Sequence, residues 1–463
     1  MKTKSILVDT DSYKVSMHPQ YPVGTKYVYS YIESRGGHYD KTLILGIQAF
    51  NREVLMNPIT QDEIDFADKF WTAHGEPFNR EGWQYILDKH NGYLPVEIRS
   101  VDEGTLVPVH NVLATIVNTD PMVPWITTWI ETPLLRAIWY PTTVATQSWS
   151  IKQIIKRALE VSGDVAGLPF KLHDFGSRGV SSYESASLGG MAHLVNFMGT
   201  DTAIGIIAAN QYYDADLYST AFSIPASEHS IATSYGKNEK KYVLNMIDKF
   251  AKPGAIFAMV ADSYNIYDFC DMVCTDEEIR EKIIAHGKTG GLVVIRPDSG
   301  DPAVIVPTLL EKFDKAYGSV KNAKGYKVLN NIRIIWGDGI NELSIQTILM
   351  RAVSMAGYSA DNLAFGMGGA LLQIVNRDTQ KFAMKCSAAM INGEWVDVFK
   401  DPITDSGKKS KKGRFMVVRE NGQIKTVPYD AENSHLDIMK VRYNTGKVFN
   451  EITFSEVRAN SEM

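Results

Sequence analysis

At 463 residues, 44% of them hydrophobic and 22% charged, the chain is long enough to bury a large core, reads as two or three domains and is not a disordered protein. A formal charge of −5 argues against a general nucleic-acid binder, whose surface is basic. Three cysteines in so long a chain exclude a disulfide framework and place the protein in a reducing compartment.

In chain order, the N-terminal run Ile6-Leu7-Val8 is too short for a signal sequence. No stretch approaches the ~18 apolar residues of a membrane span, so a cytoplasmic enzyme is expected. Followed by Asp9-Thr10-Asp11, the same run resembles the strand and Asp-x-Asp of an aspartyl-phosphate phosphatase, although Tyr13 stands where that motif has Thr or Val. That reading remains a rival. From about residue 170 to 375, short apolar runs each end at a polar or glycine cluster. Ile256–Val260 precedes Ala261-Asp262-Ser263, Leu292–Ile295 precedes Arg296-Pro297-Asp298-Ser299-Gly300, Ile332–Trp336 precedes Gly337-Asp338-Gly339, and Leu363–Phe365 precedes Gly366-Met367-Gly368-Gly369. Continuous rather than alternating apolarity predicts buried parallel strands, with helices between them such as Asp276–His286 and Glu342–Ala356. Cys270 and Cys274, four apart in a predicted helix, read as one buried face.

This rhythm predicts an α/β (TIM-like) barrel over residues 166–378 and puts the polar clusters at the C-terminal ends of its strands, where barrel enzymes place their chemistry. Gly337, Gly339, Gly366, Gly368 and Gly369 either let backbone N–H groups approach a phosphate or shape tight turns. Two other nucleotide motifs fail on spacing. Lys282 stands where a P-loop ending at Gly287-Lys288-Thr289 needs glycine, and Leu371 stands at the third glycine position of a dinucleotide fingerprint. Residues 1–165 and 379–463 are expected to form a flanking mixed α+β domain from both chain ends, where Trp395–Phe399 alternates as a half-exposed strand does.

The strings His173–Ser182 (HDFGSRGVSS), Gly199-Thr200-Asp201-Thr202 and Ser223–Ser230 (SIPASEHS), with the Arg296–Gly300, Gly337–Gly339 and Gly366–Gln373 turns, closely resemble nicotinamide phosphoribosyltransferases. The likeness runs from Asp11-Ser12-Tyr13-Lys14 to Lys400-Asp401-Pro402 and Lys408–Arg414; Ser177, Met367 and Ala383 are small departures. The resemblance implies a type II phosphoribosyltransferase fold and a homodimer whose active sites are shared between subunits. It also implies a reaction that joins nicotinamide to phosphoribosyl pyrophosphate, giving nicotinamide mononucleotide and pyrophosphate in NAD salvage.

The resemblance also assigns roles. Phe175 stacks on the pyridine ring and Tyr13 of the other subunit covers its second face. Asp201 accepts the carboxamide N–H and, as an anion, rejects nicotinate. Arg178 and Arg296 line the base and pyrophosphate pocket, and Asp298 holds the ribose hydroxyls. Gly337, Asp338, Gly368, Gly369 and Arg377 hold the 5′-phosphate. Arg35, Lys385, Lys400 and Lys408 serve the pyrophosphate side across the dimer, and Asp11 and Ser223 complete the substrate-binding set. His229, with Asp262 as orienting carboxylate, is the residue some members phosphorylate with ATP. Mg²⁺ accompanies pyrophosphate or ATP, and no carboxylate cluster suggests a protein-held metal. The competing readings are a nicotinate phosphoribosyltransferase and a non-catalytic, phosphate-binding dimer.

Overall fold

The computed structural model describes residues 5–404 and 409–463. The chain divides into two compact units, one of residues 1–146, 208–215 and 375–463, the other of residues 147–207 and 216–374. The first division falls inside the helix Glu131–Ser162, earlier than the 165/166 junction read from the sequence.

Among the described residues the first unit holds a seven-stranded sheet. Its order is Glu394–Asp397, Phe382–Ile391, Thr25–Ser34, Val112–Asn118, Val96–Ser100, Lys440–Asn444 and Lys447–Val448, with antiparallel pairing throughout. Strands from the N-terminal part therefore form the middle of the sheet and strands from the C-terminal part flank them on both sides, so both chain ends build one sheet. Thr25–Ser34, with three Tyr beside Val28 and Ile32, suits a pleated surface buried between its two neighbours. The alternating stretch near Trp395 is the edge strand, shorter than expected because it ends at Asp397, and Trp395 lies 6.4 Å from the Tyr27 ring.

Three tryptophans anchor the core of this unit. Trp83 meets Trp125 and Trp129 edge to face at 5.0 Å each, an arrangement that adds about 1 kcal/mol per pair to the area buried. Trp129 Nε1 donates to the Ile6 carbonyl and Trp71 Nε1 to the Leu7 carbonyl, both at 2.8 Å. Residues 6–8 are consequently a turn pinned by two indoles, not the strand that the phosphatase reading needs. Asp9 is held by Arg136 at 2.6 Å, and Asp11 accepts from the Thr132 hydroxyl at 2.7 Å.

The second unit carries a six-stranded, all-parallel sheet among the described residues, ordered Gly199–Thr200, Leu172–Asp174, Leu363–Met367, Ile332–Trp336, Leu292–Arg296 and Ile256–Val260. The four predicted apolar runs are four of these strands. Helices return the chain between them, including Glu277–Lys288, capped by Asp276, and Pro302–Tyr317, capped by Asp301. The sheet does not end at its edges. Residues 222–226 bridge both of them, Phe222 pairing with Gly199 and Ala226 with Ala258. The irregular barrel so closed has Ala258, Val294 and Ile335 in its interior, with Phe175, Ile224 and Ala364 packed against them.

Among the described residues no helix is long and apolar enough to cross a membrane. In the first unit one buried group has an outsized role. The Glu103 carboxylate accepts N–H bonds from Gly46, Ile47 and Gln48 at 2.5, 2.8 and 3.2 Å and the Tyr213 hydroxyl at 3.0 Å. Burial pushes its pKa up, against the pull of Arg442. Glu103→Ala strands these donors in the core and is expected to destabilise the protein by about 3 kcal/mol, measured as a lower urea midpoint.

Candidate active site

Parallel strands deliver their C-terminal ends to one side, and the residues singled out from the second unit stand there. Phe175 follows the strand Leu172–Asp174, its N–H donating to the Met367 carbonyl at 2.9 Å. One face of its ring lies on bare backbone. A Cβ at Gly366 would sit 1.9 Å from Phe175 Cε2, and one at Gly337 3.2 Å from the same atom and 3.5 Å from Asp298 Oδ1. Gly366 therefore needs to be glycine to seat the ring, Gly337 leaves it close against the main chain, and Asp298 stands beside it.

Asp201 follows the strand Gly199–Thr200. Its N–H donates to the Asp174 carbonyl at 2.9 Å, and its exposed carboxylate accepts from the Ser223 hydroxyl at 2.7 Å. Arg178 is exposed in the short turn Ser177–Gly179 after Phe175. Gly368 lies 3.5 Å, measured from its Cβ position, from the Phe175 carbonyl, and Gly369 opens the short helix Gly369–Leu372.

At the other end of the group, His229 Nε2 meets Asp262 Oδ1 at 3.0 Å, and Ser299 Oγ donates to Asp262 Oδ2 at 2.5 Å. The Asp262 side chain is 6% exposed and the His229 ring 44%, so a buried carboxylate orients an open imidazole. Burial raises the Asp298 pKa, with Asp262 and Asp338 adding to the rise and Arg296 and His229 opposing it. These five groups share one electrostatic neighbourhood. Arg296 Nε is buried without a hydrogen-bond partner, a donor left over for an anion.

Several supporting residues were given no role from the sequence. Gln147 Nε2 donates to the Ala370 carbonyl at 2.9 Å and Gln373 Oε1 accepts the Ser181 N–H at 3.1 Å, tying the glycine-rich turn to its surroundings. Ser299 and Gly366 lay inside recognised motifs, but only their contacts reveal what they do.

A family model described as "Nicotinate phosphoribosyltransferase (NAPRTase) family" matches residues 170–447, and one described as "Nicotinamide phosphoribosyltransferase, N-terminal domain" matches residues 5–98. A nicotinamide phosphoribosyltransferase of Xanthomonas campestris pv. campestris is 50% identical over 467 residues, covering 99% of this chain and 98% of its own. One of Acinetobacter baylyi is 31% identical, covering 88% of this chain and 87% of its own. The chain belongs to the nicotinamide phosphoribosyltransferase family. It is accordingly a pentosyl-transferring enzyme. Among solved structures, a nicotinate-nucleotide pyrophosphorylase from Pyrococcus furiosus superposes with a TM-score of 0.61 at 16% identity, covering 100% of this chain and 96% of that one. Human nicotinic acid phosphoribosyltransferase gives 0.57 at 13%, covering 98% and 93%; both likenesses show the type II phosphoribosyltransferase fold.

In the first unit of this phosphoribosyltransferase, basic side chains converge. Arg35 Nε pairs with Glu33 at 3.0 Å while its Nη2 is buried without a partner, and Lys411 pairs with the same glutamate. Lys385 has its pKa lowered, first by burial and then by the charges of Arg35, Lys400 and Lys14, with Glu131 opposing. Glu33 and Glu131 balance only part of this crowded positive charge, which favours an anion. Lys411 was not singled out in the sequence, where it is one of several lysines in a turn-rich loop. Tyr13 is 62% exposed, beside a buried Lys14 that pairs with Glu131 at 2.6 Å. Arg377 is exposed and paired with Asp378 at 3.3 Å. Lys408 lies outside the described residues. Among the described residues no group of three His, Cys, Asp or Glu side chains is placed to hold a metal ion.

Asp174 also went unremarked in the sequence. It is fully buried, and burial pushes its pKa up to about 6, with the Asp201 charge adding to the rise and hydrogen bonding from Gly176 and Thr202 opposing it. A carboxyl raised on folding stabilises the protein most when protonated, and the advantage is lost as pH rises from ~4 through about 6. Asp174→Asn is therefore expected to be more stable than the wild type by up to about 3 kcal/mol at pH ~8, with the gap closing by pH ~4. Urea unfolding across that range checks it.

Proposed function

We propose that the protein condenses nicotinamide with phosphoribosyl pyrophosphate, the pyridine nitrogen forming a bond to C1 of the ribose as the C1–oxygen bond to pyrophosphate breaks. The observation that supports this reading most directly is the seat of Phe175. A ring held flat on glycine backbone, with the Asp201 carboxylate fixed nearby by Ser223, suits a flat base carrying a hydrogen-bond-donating amide. The relatives above carry the name of this activity along nearly the whole chain.

Positioning and electrostatics supply the catalysis, because the departing pyrophosphate leaves an electron-poor sugar carbon behind. Asp298 holds the ribose hydroxyls and steadies positive charge at that carbon. Arg178 and Arg296 bind pyrophosphate, and the backbone at Gly337, Asp338, Gly368 and Gly369, joined by Arg377, binds the 5′-phosphate. In a homodimer, the second copy of this chain supplies Tyr13 to the open face of the base and Arg35, Lys385, Lys400 and Lys408 to the anionic side, with Asp11 completing the substrate-binding set. Mg²⁺ enters with the phosphates as part of the substrate, since the described residues offer no cage of their own. The setting is the cytoplasm.

His229 is the acceptor of a phosphoryl group from ATP. Its nitrogen forms the new bond to phosphorus as the bond to the departing ADP oxygen breaks, and Asp262 stabilises the imidazolium character that results.

Two measurements test these assignments. Asp201→Asn removes the charge that repels nicotinate and is expected to narrow the preference for nicotinamide by at least about tenfold in kcat/KM, roughly 1.4 kcal/mol; an unchanged ratio refutes the role given to Asp201. His229→Ala is expected to lose stimulation by ATP while keeping ATP-independent formation of nicotinamide mononucleotide, and stimulation that persists in the variant removes the phosphohistidine.

A further inference from the structure

Asp174 connects the two parts of the base slot. Its Oδ1 accepts the Gly176 N–H at 2.7 Å, closing the turn on which Phe175 stands. Its backbone carbonyl accepts the Asp201 N–H at 2.9 Å. The other carboxylate oxygen, Oδ2, is buried too and faces only the Thr202 hydroxyl, with no charged partner. Asparagine would keep the Oδ1 acceptor without a charge to bury, so the turn alone does not account for a carboxylate here.

No lysine, arginine or histidine forms an ion pair with Asp174 among the described residues, and the charged group that faces it is Asp201. His173, the preceding residue, faces Asp201 and Lys171 instead. Two carboxylates thus stand one behind the other, the outer one exposed and the inner one sealed from solvent. A charge inside a low-dielectric wall acts over a longer range than one in water, because little solvent screens it.

We propose that Asp174 is a specificity-determining residue, a buried negative charge behind Asp201 that deepens the rejection of bases bearing a carboxylate on the ring. The inference rests on the reading of Asp201 as the contact to the ring substituent. Because burial brings Asp174 to half-protonation at about 6, the added discrimination fades as pH falls through that value. A free carboxylate, which ionises near ~4, stays charged over the same range, so the change originates in the protein.

The experiment is steady-state kcat/KM for nicotinamide and for nicotinate at pH ~5.5 and ~7.5, with the full-length enzyme and saturating phosphoribosyl pyrophosphate. The wild-type preference for nicotinamide is expected to grow at least about threefold between the two pH values, a change within reach of one buried charge. In Asp174→Asn the preference should stay at the low-pH level at both pH values, the change lying in KM for nicotinate. A purely structural role would move both bases together. A preference flat in pH in the wild type, or one that rises equally in Asp174→Asn, overturns the proposal, and the wild-type arm alone decides it if the variant does not fold. Asp201→Asn separates the two layers. If it leaves the preference untouched at both pH values, the reading of Asp201 is what has failed. If it collapses the preference while Asp174→Asn follows the wild type, only the role of Asp174 is lost.

Discussion

The close approach of the Phe175 ring to the backbone at Gly366 and Gly337 constrains the mouth of the barrel more than any other contact. The ring fills the space a side chain would take at either position, so the ends of three different strands are fixed relative to one aromatic plane. Asp298 lies within the same small volume. An aromatic platform supported from below by main chain cannot tilt without moving a strand, and this rigidity is what a site that aligns a flat base with a sugar carbon requires.

Around that platform the polar groups are held by other polar groups rather than left to find their own positions. Ser223 fixes Asp201, Asp262 fixes His229, and Ser299 fixes Asp262. These bonds tie residues that follow three of the parallel strands to one another, to the closing segment and to the helix after it, so the barrel acts as a jig for its own loops. The unsatisfied Nε of Arg296 and the raised pKa of Asp298 are the counterpart, groups held ready at some cost to stability.

The parallel strands were legible because a strand buried on both faces must be apolar at every position, and Ile256–Val260 and Ile332–Trp336 are so throughout apart from Arg333. The same rule misread Ile6-Leu7-Val8, where the apolar run is satisfied by two tryptophans over a turn instead of by neighbouring strands. It also could not find the closing segment 222–226, whose Ser223 and Pro225 break the apolar pattern and which pairs through isolated bridges. The candidate site was legible where it resides in residue type at a motif position, as with Phe175, Asp201 and His229. It was illegible where it resides in burial. Asp174 and Lys411 look like any acid and any lysine until the structure shows one sealed away from solvent and the other bound to a shared glutamate.

The manner of barrel closure has a bearing on how the enzyme fails. Residues 222–226 join the sheet edges by two isolated bridges and a few backbone hydrogen bonds in place of a long ladder, a seam expected to open before the main strands part. Ser223 sits within the seam and His229 begins the helix just beyond it. Opening there on warming would release the clasp on Asp201 and the imidazole together while the six main strands still hold. Catalysis would then cease in a molecule whose circular dichroism is still that of the native fold.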